Sequence, residues 1–200
     1  LPKPLEASEI DVRLGATWID KSYIQAFLQE TFQPPFYARN IVKVNYAPAT
    51  AEWFIDGKSS IPYNDVAAHT TYGTARASAY RILEDTLNLR DVRVYDTVQD
   101  ADGKEKRVLN KNETTLAQQK QQAIKEAFRD WIWRDADRRR ELTERYNVLF
   151  NSTRPRTYSG EHITFTGMNP EIRLRPHQRD AIAHILYGGN TLLAHEVGAG

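Results

Sequence analysis

Apolar residues recur along this chain with two different periods. After Asp20, which can cap a helix, Tyr23, Ile24, Phe27, Leu28 and Phe32 fall on one helical face, and Pro34-Pro35 stops it. From Ile41 to Tyr46 the pattern alternates, and Glu52 to Ile55 returns, which predicts a β-hairpin. Residues 57–71 are a polar loop with no assignable period. Thr74 is expected to cap a helix reaching about Asn88, with Ala79, Ile82, Leu83 and Leu87 as its buried stripe. Val92 to Val98 and Lys104 to Leu109 predict a second hairpin around Asp102-Gly103. Thr115 and Gln118 read as a capping box for a long helix whose face is Leu116, Ala123, Ile124, Ala127, Phe128, Trp131 and Ile132. A further helix, Asp135 to about Phe150, is expected to pack through Leu142, Tyr146, Leu149 and Phe150.

The last stretch has a different order. Tyr158 to Thr166 reads as a strand or an extended connector. Pro176 suits a first helical position, Ala181, Ile182, Ile185 and Leu186 recur at helical spacing, and Gly188-Gly189 stops the helix. Ile182, Ile185 and Leu186 are expected to pack on the preceding domain. The apolar run Thr191 to Ala194 suits a buried parallel strand, and it leads into a Gly-rich turn, His195 to Gly200. The expected class is α+β, two β-hairpins with packed helices followed by one helix and one strand of a nucleotide-binding sheet. The expected organisation is a Pro-rich linker over residues 1–7, an accessory domain over 8–168, and the start of another domain over 169–200. The absence of Met at position 1 fits a segment of a longer protein.

Composition narrows the class without naming a partner. The 200 residues are 40% hydrophobic and 26% charged, with a net charge of +1, which describes a globular chain rather than a disordered one. Residues 1–100 hold 10 Lys/Arg against 13 Asp/Glu (−3), and residues 101–200 hold 17 against 13 (+4). The chain has no cysteine, which excludes disulfides and thiolate metal sites and fits the cytoplasm. It has no apolar run of membrane-spanning length and no basic-then-apolar leader, so no membrane partner is expected. The sequons at Asn112 and Asn151 read as a helix cap and a loop. The five histidines, His69, His162, His177, His184 and His195, show no metal-ligand spacing, so no metal is assigned.

Several motifs carry possible chemistry. Gly198, Ala199 and Gly200 end a run in which backbone N–H groups could converge on phosphate oxygens. A Gln can meet the N6/N7 edge of adenine with both amide atoms, and Gln178 lies one helix and one strand upstream. Arg138, Arg139 and Arg140, with Arg145, Arg154 and Arg156, form the densest positive cluster. They read either as phosphate contacts or as a solvated helix face laced with Asp135–Arg139 and Glu141–Arg145 pairs. Tyr72-Gly73-Thr74 before Arg76 would place helix N–H groups beside a guanidinium. Among the tryptophans, Trp131 falls on the apolar stripe and Trp133 off it, as the better surface candidate for base stacking. Gln33-Pro34-Pro35-Phe36 is similar to the tetrad of adenine methylases, but with Gln in the first place and a helix before it, it reads as a helix stop.

LRPHQ followed by HEVGAG resembles the Q motif and the start of motif I in superfamily-two helicases, particularly Swi/Snf-type translocases. With VRLGATWI (Val12 to Ile19), YGTARASAYRILEDTLNLRDVRVYD (Tyr72 to Asp96) and GMNPEIRLRPHQ (Gly167 to Gln178), the chain resembles a segment of the large DNA methylase–helicase proteins of phages and conjugative elements. The resemblance implies that Gln178 reads adenine, that Gly198 to Gly200 begin the triphosphate loop of a RecA-like lobe, and that ATP with Mg and S-adenosylmethionine serve the whole enzyme. No cofactor and no turnover are expected of these 200 residues themselves. The expected role is a DNA-binding or motor-coupling module contacting DNA through Arg76, Arg138, Arg139, Arg140, Arg154 and Arg156, beside methylase and helicase domains of the same chain. The alternative is a structural spacer that packs methylase against motor.

Overall fold

The computed structural model describes residues 2–100, 103–153, 156–196 and 198. The chain is α+β, with two separate antiparallel hairpins among α-helices. It divides into two compact units, Lys3–Ser152 and a second one that begins at Thr153 and also takes in residues 1–2. The boundary therefore falls after Ser152 rather than after residue 168. Residues 3–7 are no free linker either: Asn147 accepts from the Leu5 N–H at 2.8 Å and donates to its carbonyl at 2.9 Å, and Asn151 donates to the Lys3 carbonyl.

In the first unit, helix α1 (Lys21–Phe32) starts where expected, because the Asp20 carboxylate accepts from the Ser22 N–H. It ends at Gln33, which turns into the left-handed region at φ 48° ahead of the proline pair. Strands β1 (Lys43–Ala47) and β2 (Glu52–Asp56) pair with Val44 opposite Ile55 and Tyr46 opposite Trp53. A two-stranded hairpin is marginal by itself and leaves two open edges. Here helix side chains occupy both. Gln25 of α1 accepts from the Val44 N–H (2.7 Å) and donates to the Val42 carbonyl (3.1 Å). On the other edge, Glu84 accepts from the Ile55 N–H, and Asn88 both accepts from and donates to the backbone of Trp53.

These two residues come from helix α2 (Ala79–Leu87) and its C-cap. The helix begins four residues later than the sequence suggests, capped by Ser78 instead of Thr74. Thr74 instead closes a tight turn, accepting from the N–H groups of Arg76 and Ala77. The reason is steric as well as polar: a Cβ on Gly73 would lie 1.9 Å from the Ala68 carbonyl oxygen, so the backbone is already packed there. The stripe itself is as expected, with Ala79, Ile82, Leu83 and Leu87 buried.

Strands β3 (Tyr95–Gln99) and β4 (Glu105–Leu109) form the second hairpin, largely exposed, with Gly103 at φ 75°. Asp102 of the expected turn lies outside the described residues. Val92 and Val94, expected in the strand, are buried in an extended segment before it. That segment is fastened to helix α3 (Lys111–Arg134). Thr114 accepts from the Val94 N–H, Gln121 accepts from the Val92 N–H, and Gln121 donates to the Arg90 carbonyl at 2.8 Å and to the Thr86 hydroxyl at 3.1 Å. Gln118 adds a longer bond to the Val92 carbonyl.

This polar row explains two departures from the sequence reading. The cap of α3 is Asn110, which accepts from the Glu113 N–H, so Thr115 and Gln118 lie inside the helix and form no box. The buried face at the start of α3 is Thr114, Ala117 and Gln121, while Leu116 is exposed. Further along, Ile124, Phe128, Trp131 and Ile132 enter the core as expected. Phe27 meets Phe32, Phe128 and Trp131 edge-on at 5.2–6.0 Å, a favoured aromatic geometry. Helix α4 (Ala136–Phe150) buries Leu142 fully, but Leu149 and Phe150 are exposed. Tyr146 and Phe150 instead present their rings to Trp18.

Asp85 on α2 gives the unit a pH signature. Burial pushes its carboxyl above the usual range, against the pull of Arg81 and Arg90. Where the folded pKa exceeds the unfolded one, ionisation opposes folding, so that contribution is lost as pH rises through the window between them. Asp85→Asn is accordingly expected to raise the thermal midpoint at neutral pH. The gain should shrink to nothing as pH falls through the carboxylate range, as melting curves across that range would show.

The second unit is built on helix α5 (Pro176–Gly188), with proline at its first turn as expected. Residues 158–166 form no strand and turn at Glu161-His162, where the Ile163 N–H donates to the Gly160 carbonyl. Asp180 accepts from the Gly160 N–H, and the Arg179 guanidinium gathers the carbonyls of Gly160, Glu161 and Ile163. Tyr158 stacks on His184 at 4.6 Å. Ala183 is buried, but Ile185 and Leu186 are exposed rather than packed. Thr191 to Ala194 form no strand, and Leu192 is 90% exposed. A parallel strand needs neighbours on both sides, and the described residues pair only as the two hairpins of the first unit.

Candidate nucleic-acid interface

Arg138, Arg139 and Arg140 are engaged with their own fold. Arg138 reaches back over the end of α3, donating to the carbonyls of Trp131 and Ile132, with its guanidinium 3.5 Å from the centroid of the Trp131 ring. Those carbonyls are the unpaired ones at a helix C-terminus, where a cation is favoured. Arg139 donates to the Trp133 carbonyl, and Arg140 pairs with Asp137 at 2.9 Å. Arg76 belongs to no helix N-terminus. It pairs with Asp96 at 2.9 Å and donates to the Tyr95 carbonyl, and with Asn110 it holds the Asp96 carboxyl below its usual range. Arg156 lies in the second unit, 6.0 Å from the Tyr158 ring. Arg154 lies outside the described residues.

Of the residues expected to meet a nucleotide, Gln178 and Gly198 are described. The side-chain oxygen of Gln178 accepts from the Arg175 N–H at 2.8 Å, capping α5. A bidentate adenine contact needs both amide atoms, and the cap occupies one of the two lone pairs of the oxygen. Gly198 has φ 87° with open space around it. Ala199 and Gly200 lie outside the described residues.

A different set of cations converges in the first unit. Gln121, Lys125, Arg129 and Trp133 recur every four residues on α3, so they form one ridge of about 18 Å at 1.5 Å per residue. Its first member is buried and bonded to the 90–94 segment. The ridge then leaves that segment and borders open space. A cleft of about 280 Å³ there is lined by Arg13, Arg90, Lys125 and Arg129, with the buried Val12 and Leu14, the exposed Leu89, and Asp91 as the one carboxylate. Arg90 is paired with Glu52 at 3.1 Å. Among the described residues, none of the ion pairs involves Arg13, Lys125 or Arg129. A second cleft, of about 390 Å³, shares Val12 and Arg129 with the first. It is bounded by residues 7–12, including Glu9 and Asp11, and ends at the half-buried Trp133.

The sequence reading flagged Trp133 and passed over Arg13, Lys125 and Arg129. Lys125, Arg129 and Trp133 carry a signal, a four-residue spacing just off the apolar stripe. Arg13 carries none, since only tertiary packing brings residues 10–14 beside α3. Among the described residues, no helix is long and apolar enough to cross a membrane, and no cluster of His, Asp or Glu could hold a metal ion.

A family model described as a domain of unknown function, DUF8437, matches residues 13–152, and its end coincides with that of the first compact unit. No curated protein and no solved structure matches the chain.

Proposed function

The chain belongs to the DUF8437 family, and from that premise we propose that residues 3–152 are a DNA-binding or motor-coupling module of an ATP-driven DNA helicase or translocase that also carries an adenine methylase. The observation that carries the DNA contact is the cleft where Arg13, Lys125 and Arg129 converge without an ion-pair partner among the described residues. Guanidinium and ammonium groups held at a concave surface suit phosphate oxygens. The likeness of LRPHQ and HEVGAG to helicase motifs supports the link to a motor, with ATP, Mg and S-adenosylmethionine serving parts of the enzyme other than this module. A cytoplasmic setting follows from that role.

The spacer reading has its own observation. Val148, Leu149 and Phe150 are exposed together at the end of α4, a surface that a neighbouring protein domain could cover. Salt separates the two. Neutralising three phosphates should give log K against log salt a slope of about −2 to −3. Anisotropy of labelled DNA, single-stranded and duplex, measured from low to physiological salt, is expected to show that slope. A spacer would bind neither form at any salt.

A further inference from the structure

We infer that the α3 groove receives a single strand of nucleic acid, with phosphates at Arg13, Lys125 and Arg129 and a base against Trp133. This rests on the DNA-binding reading above and adds the form of the polymer and the side chains that hold it.

The two joined clefts differ in chemistry along the ridge. In the first, four cations face one carboxylate. The second shares Arg129 with the first and is lined also by Glu9, Asp11 and Trp133, a half-buried ring that packs in part on the core. Glu9 accepts from the Glu6 N–H and so is partly occupied. Carboxylates repel a phosphate, so a charged backbone should not run through the second cleft. They do accept from the exocyclic amino groups of bases, and an indole offers a stacking face. Cations first, then an aromatic with acceptors, is the order of groups in a nucleotide read from phosphate to base.

The dimensions choose between single and double strands. The cation-lined cleft, of about 280 Å³, is too small to enclose a duplex, which could only lie across its mouth. Bases within a duplex are stacked on their neighbours and could reach Trp133 only after being flipped out. A single strand has its bases available, and the ridge gives side chains at steps of about 6 Å along the helix axis, four residues at 1.5 Å each.

The test compares a short single-stranded oligonucleotide, a duplex of the same sequence and a mononucleotide, each titrated against the whole chain at low salt. The single strand is expected to bind at least about tenfold more tightly than either of the others. Lys125→Glu with Arg129→Glu should remove that binding and flatten its salt dependence. Trp133→Leu should weaken it about tenfold while leaving the salt slope unchanged, since the lost contact carries no charge, and Trp133→Phe should restore most of it. Melting curves of each variant confirm folding, and the charge reversals keep the test open if a Trp133 variant does not fold. Duplex binding that exceeds single-strand binding, or a mononucleotide that binds as well as the strand, would overturn this inference and leave the DNA-binding reading standing. Single-strand binding indifferent to all these variants would overturn it as well. Failure of every nucleic acid to bind at low salt would remove both.

Discussion

Replacing Gln121 with alanine is expected to destabilise the first unit by about 3 kcal/mol, a fall in melting temperature on the order of 10 °C. The side chain is 3% exposed and makes three bonds, from the Val92 N–H and to the Arg90 carbonyl and the Thr86 hydroxyl. Truncation leaves a buried N–H and a carbonyl of the 90–94 segment without partners and opens a void, and each of these carries a cost of about 1–3 kcal/mol. Gln121→Leu should recover the volume but not the bonds, and so remain strongly destabilised. Gln118→Ala is the control. That side chain is exposed and its bond is 3.3 Å long, so its loss should stay within about 1 kcal/mol. Denaturant unfolding of the three variants checks the ranking. A loss at 121 as small as that at 118 would mean that the Gln121 bonds contribute nothing net to holding the 90–94 segment.

Arg138→Glu is expected to cost about 2 kcal/mol even though Arg138 sits in a run of surface arginines. Two opposing effects meet at this residue. It lies in the first turn of α4, where Asp135 accepts its N–H, and a glutamate there would complete a capping box worth some tenths of a kcal/mol. Against that, the guanidinium now donates to two carbonyls at the end of α3 and covers the face of Trp131. Glutamate removes both bonds and the cation–π contact, and sets a negative charge against the negative end of α3. The larger loss wins. Arg140→Glu, which breaks only an exposed pair with Asp137, should change stability by no more than about 0.5 kcal/mol. Thermal melts of the two variants side by side decide this. If Arg138→Glu melts with the parent, the contacts at the end of α3 contribute nothing net.

The contrast between Arg138 and Arg140 marks where reading the sequence stopped working. Both are arginines in one run, on a helix correctly expected from Asp135 to Phe150. Which of them is tied to another helix depends on where the preceding helix ends in space, and the spacing of residues along α4 does not carry that information. Lys125 and Arg129 show the converse, since their place beside residues 10–14 is set by packing between segments far apart in the chain.

By itself the sequence determined the local elements. Periodicity placed α1, the core half of α3, α4 and α5, alternation placed both hairpins, and Asp20, Gly103 and Pro176 marked their ends, because capping, turn and period are set by residues within a few positions of one another. Only the tertiary structure decided what covers the hairpin edges, why the start of α3 buries polar residues, and which cations face open space. Gln25, Glu84, Asn88 and Gln121 each satisfy backbone groups 17 to 35 residues away in the chain. A glutamine in a helix has the same local preference whether it meets water or a buried amide, and the energy that distinguishes the two appears only when distant segments pack together.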